Sequence, residues 1–73
     1  MALQDVPAPM TGTVKEVLVS IGDRVNAGEE LVIVESMKME IPVESPAAGV
    51  VAEILVAPPD RIDEGALLLR LQV

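Results

Sequence analysis

Few side chains in this sequence could carry covalent chemistry. Its 73 residues include no His and no Cys. That removes an imidazole base, a thiolate nucleophile and a Ser-His pair. Soft metal sites go with them, and only carboxylates remain as ligands. The densest acidic run, "DRIDE" at 60–64, lacks the spacing of a calcium loop and the glycine at its centre, so no metal site is expected. Only two lysines occur, Lys15 and Lys38. Lys15 stands beside Glu16 in a β-branched run and reads as a solvated strand residue. Lys38 stands between two methionines in "ESMKME", residues 35–40. A Met-Lys-Met segment is poor turn chemistry where Gly, Asn, Asp or Pro is usual. Such a local failure marks a place where function overrides folding preference.

The elements around Lys38 follow from an internal repeat. Shifted by 37 residues, "VPAPMTGTVKEVLVSIGDRVNAGEEL" falls on "VESPAAGVVAEILVAPPDRIDEGALL". Over residues 6–36 there are eleven identities, with Gly12 on Gly49, Asp23-Arg24 on Asp60-Arg61 and Gly28 on Gly65. The repeats are therefore set at about 6–36 and 43–73 within one domain spanning 1–73. Each copy reads as strands: "GTVKEV" or "GVVAEI", then "RV" or "RI", then "LVIVES" or "LLLRLQ". Val14, Val17 and Val19 break strict alternation by one residue, as do Val51, Ile54 and Val56, which predicts a β-bulge in both copies. Gly28 and Gly65 are expected to supply positive φ in matching turns. A helix over "ELVIVESMKMEI" competes on propensity. It lacks an N-cap, Pro42 ends it, and its counterpart "LLLRLQV" alternates with period two.

The expected fold is all-β: a flattened β-barrel or sandwich of two four-stranded sheets related by a pseudo-twofold repeat. Lys38 then falls at the hairpin tip joining the halves, with the two chain ends at the pseudo-symmetric position. Stability must come from aliphatic packing, because there are no aromatic residues and no cysteines for disulfides. A net charge of −7 argues against nucleic acid and anionic membranes as partners. No stretch has the length of a membrane helix and "MALQDVPAP" is not a signal peptide, so a cytoplasmic protein is expected. Met1 and the compact end at Val73 point toward a stand-alone subunit.

"ESMKME" resembles the attachment motif of biotin carboxyl carrier domains. "APMTGTV" (8–14), "GDRVNAG" (22–28), "SPAAGVV" (45–51) and Gly65-x-x-Leu68 resemble that family's flanking signatures, so the likeness runs from about Val6 to Leu71. The resemblance implies a barrel-sandwich hybrid with biotin joined by an amide to Lys38. It implies that a biotin protein ligase attaches the group, reading Glu35 and the small residue Ser36, with Met37 and Met39 as the flanking frame. It also implies a non-catalytic carrier, shuttling a carboxyl group from a biotin carboxylase to a carboxyltransferase of an acyl-CoA or pyruvate carboxylase. Nothing is inserted between Thr13 and Glu30, so the likeness is to the thumbless carriers. Three other readings stand beside it. One is a lipoyl carrier or a dual attachment protein, although lipoyl domains usually have Asp or Val before the lysine and Ala after it. Another is a structural module with an unmodified Lys38. In the last, Met37 and Met39 are turned inward as core filling and Glu35 and Glu40 are merely solvated strand-end charges.

Overall fold

Eight short strands follow from the β-branched runs in chain order: β1 (Leu3–Pro7), β2 (Gly12–Val17), β3 (Arg24–Val25), β4 (Glu30–Ser36), β5 (Met39–Glu44), β6 (Gly49–Ile54), β7 (Arg61–Ile62) and β8 (Leu67–Gln72). They are seen in a computed structural model that describes residues 2–73, and Met1, part of the expected domain span, lies outside them. No helix forms among the described residues, so none is long and apolar enough to cross a membrane. The strands make two antiparallel four-stranded sheets, ordered β1-β8-β6-β3 and β5-β4-β2-β7. Exchanging β1 with β5, β2 with β6, β3 with β7 and β4 with β8 turns one order into the other. The expected all-β sandwich of two four-stranded sheets is the fold observed.

The core obeys the same exchange. Its buried apolar residues include Val6 and Val43, Val14 and Val51, Val25 and Ile62, Leu31 and Leu68, Val32 and Leu69, and Val34 and Leu71. Each pair is separated by 37 positions. Ala8 is matched by Ser45, a buried polar residue whose hydroxyl donates to the Ala47 carbonyl at 2.6 Å. That bond removes the cost of burying the hydroxyl. The corner contacts are matched as well. The Gly28 amide donates to the Ser45 carbonyl and the Gly65 amide to the Ala8 carbonyl, each at 2.8 Å. Both glycines have φ of 87°, the left-handed geometry expected of them.

The bulges fall where the broken alternation places them. The ladder between β2 and β4 slips between Val14 and Glu16, and that between β6 and β8 slips between Val51 and Glu53. Lys15 is thus the extra residue of the first bulge, and Ala52 that of the second. On the β1-β8-β6 sheet, Arg70 bridges its neighbours by bonding Asp5 at 3.0 Å and Glu53 at 3.2 Å. On the other sheet the position 37 residues earlier holds Ile33.

Candidate functional site

The β4–β5 hairpin turns in two residues. Ser36 pairs with Met39, leaving Met37 and Lys38 as the loop. Both loop residues have positive φ, 53° and 65°. Two positive φ values in succession are what a two-residue I′ hairpin requires, and Asn-Gly is its favoured sequence. A side chain with a Cβ costs about 1–2 kcal/mol in this region. The tip therefore carries backbone strain at both positions, and neither residue is one that turn preference favours there. Met37→Asn should relieve part of it and raise the unfolding free energy by up to about 1 kcal/mol. A shift of the urea midpoint to higher concentration, with no change in slope, would show it.

Both methionines point outward: Met37 is 92% exposed and Met39 is 64% exposed. The alternative of inward core filling is excluded, because β4 and β5 direct Val34 and Val43 into the core and leave the tip beyond it. Lys38 is exposed and forms no hydrogen bond or ion pair among the described residues. Its amine is free to react with an incoming group. The exchange that relates the two sheets matches this tip to the paired chain ends, where Ala2 and Val73 hydrogen-bond through their backbones. No second lysine turn exists.

The strands below the tip carry a cluster that sequence reasoning left out. Glu35 and Glu40 are directly opposed on β4 and β5. Like charges in that arrangement repel. Lys15 answers both: its Nζ donates to Glu40 and lies 3.9 Å from Glu35. The bond to Glu40, and then its charge, hold the Lys15 amine more protonated than an ordinary lysine, with smaller contributions from Glu35 and Glu16. Lys15 is thus an ion-paired residue, which the reading of it as a simply solvated lysine missed. A signal did exist. Lys15 occupies a bulge, and the 37-residue shift sets it on Ala52, so this is a charge the repeat does not require.

Beside the tip lies an open groove of about 470 Å³, lined by Thr11, Gly12, Thr13, Glu35–Lys38 and Arg61. Gly12 forms its floor for a steric reason. A Cβ there would lie 2.5 Å from the Glu35 carbonyl oxygen and 2.8 Å from Val34 Cγ1. Gly49 meets the Gln72 carbonyl oxygen in the same way, at 2.6 Å. Gly12→Ala should therefore cost about 1–3 kcal/mol and displace β4 just before the tip. Gly49→Ala should cost a similar amount while leaving the tip unmoved. Thermal melts and the amide chemical shifts of residues 35–40 in the two variants separate these effects.

Residues 4–71 match the family model described as "Biotin-requiring enzyme". Among curated proteins, the chain is 55% identical over 40 residues to a biotinylated protein TB7.3 homolog of Mycobacterium leprae, covering 55% of this chain and 56% of that one. It is 50% identical over 36 residues to the methylmalonyl-CoA carboxyltransferase 1.3S subunit of Propionibacterium freudenreichii subsp. shermanii, covering 49% of this chain and 29% of that one. These matches span about half the first relative and less than a third of the second. Among solved structures, the fold superposes on part of the Kluyveromyces lactis urea carboxylase with a TM-score of 0.93 and 28% identity, over 99% of this chain and 6% of that one. A single-chain, multi-domain long-chain acyl-CoA carboxylase matches with a TM-score of 0.88 and 34% identity, over 93% of this chain and 7% of that one.

Proposed function

The chain belongs to this family of biotin-requiring proteins, and from that premise we propose that it is a biotin carboxyl carrier whose biotin is held by an amide to Lys38. The observation that carries the reading is the strained two-residue tip, which leaves a primary amine with no partner among the described residues between two exposed methionines. The residues suit the group. A biotin protein ligase needs a reachable amine, and Lys38 is held clear of both sheets. Met37 and Met39 offer soft apolar contact to more than one enzyme surface. Glu35 and Ser36 give the ligase a charged and a small residue to read before the lysine.

Attachment would form an amide between Lys38 Nζ and the carboxyl carbon of the acyl group, with loss of the ligase's leaving group and of the amine's proton. Once attached, biotin supplies a site that can carry a carboxyl group between two active centres. The chain's own part is positional. Strands β4 and β5 fix the anchor point, and tethering gives an effective concentration on the order of mM at each centre visited. The partners are then a biotin protein ligase, a biotin carboxylase and a carboxyltransferase acting on an acyl-CoA or on pyruvate. Residues 1–73 serve as one attachment domain made of repeats at about 6–36 and 43–73. The names of the curated relatives favour biotin over lipoate as the attached group. The test is incubation with a biotin protein ligase, biotin and ATP, followed by avidin binding and intact mass. A product that gains one biotin and binds avidin is expected. An unmodified product, with a known carrier modified in parallel, sinks the proposal.

A further inference from the structure

The two lysines of this chain differ in their ion pairing among the described residues. Both are exposed, so access alone does not distinguish them. Lys38 has no side-chain partner among the described residues. Lys15 is held by Glu40 and faces Glu35, and both acids belong to the strands that support the tip. Three strands of this sheet contribute to the setting, while β7, the other neighbour of β2, supplies no carboxylate to it. Glu35 comes from β4, Glu40 from β5 and Glu16 from β2 itself. Among the described residues no other cation forms an ion pair with Glu35 or Glu40: Arg61 of β7 lines the groove with Glu35 without pairing to it, and Arg70 pairs with Asp5 and Glu53 on the other sheet.

We propose that Glu35 and Glu40 act through Lys15 as a selectivity device: they slow acylation of the second lysine, so that of the two lysines Lys38 is acylated faster even without an enzyme to choose. The chemistry requires a neutral amine. Its lone pair attacks the carbonyl carbon of an activated acyl group, the new C–N bond forms, the acyl–oxygen bond to the leaving group breaks, and the amine's proton passes to water. An ammonium hydrogen-bonded to a carboxylate must first break that bond and lose a proton which the carboxylates stabilise. Lys38 must shed a proton as well, but among the described residues it has no carboxylate bond to break first. The assignment of Lys38 as the natural acceptor rests on the carrier reading, but the contrast in reactivity does not. The bulge is what makes the device possible, because it places one extra residue of β2 within reach of two strand partners on β4 and β5.

The experiment uses the acetyl ester of N-hydroxysuccinimide, at less than one equivalent and about pH 8, with peptide mass spectrometry reading acetylation at each lysine. Lys38 is expected to react at least about threefold faster than Lys15, whose amine is engaged in a charge-assisted hydrogen bond. In Glu40→Gln the rate at Lys15 should rise until the two lysines differ by less than about twofold, with the rate at Lys38 unchanged. Glu35→Gln should move the ratio in the same direction by a smaller amount. Equal rates in the parent protein, or a ratio that Glu40→Gln leaves unaltered, overturns the proposal. Because no ligase takes part, failure here is distinct from failure of the carrier reading, which the avidin assay tests separately.

Discussion

Lys38→Arg should reduce biotin incorporation to below about one per cent of the parent level while leaving the fold intact. Arginine keeps the positive charge, the long stem and the Cβ that the turn already accommodates. What it removes is the acylable amine, since a guanidinium stays protonated and is a poor nucleophile at neutral pH. Lys38→Ala would make the same point less cleanly, because it also changes charge at the tip. The measurement is the avidin-shifted fraction after exhaustive treatment with ligase, alongside a thermal melt. An unchanged melt with no avidin shift places the anchor at Lys38. Incorporation at the parent rate would move the anchor elsewhere, and Lys15 would be the first residue to examine.

The largest expected effect on stability belongs to Leu31 and Leu68. Both are fully buried and they are equivalent under the repeat. Truncation to alanine removes three carbons from the shared core and leaves a cavity, at a cost of about 2–5 kcal/mol. A chain of 73 residues has roughly 4–11 kcal/mol in total. Either variant should therefore lose a large share of its stability, with a melting temperature lower by many degrees. The two losses should be similar, because each side chain enters the same core from a matching strand. A loss at one site several times the loss at the other would mean that the halves do not share the core equally. Leu31 lies at the end of β4 away from the tip and Leu68 lies on the other sheet, so each variant should still accept biotin at temperatures where it remains folded.

Much of this architecture is legible in local pattern. The strand runs, the turn glycines, the two bulges and the matched halves all arise from short-range features. β-branched residues favour extended backbone, glycine tolerates positive φ, and a one-residue slip in alternation forces an extra residue into a ladder. Lys38 could be singled out for the same reason, since Met-Lys-Met contradicts the turn chemistry its position demands. Lys15 was not singled out. Its partners lie 20 and 25 positions away, and whether a strand lysine meets a carboxylate depends on which strands are neighbours and in what register.

By itself the sequence determined an all-β chain of two like halves, with one lysine at the joint and neither histidine nor cysteine. Tertiary structure decided the rest of the site. It set both methionines outward, because the core ends at Val34 and Val43 before the tip begins. It pressed Gly12 against the Glu35 carbonyl, a contact between backbones that no residue pattern encodes. It also brought Lys15 to the acids below the tip. The physical reason is common to all three: each depends on the alignment of strands distant in sequence, which packing of the whole core fixes and local preference does not.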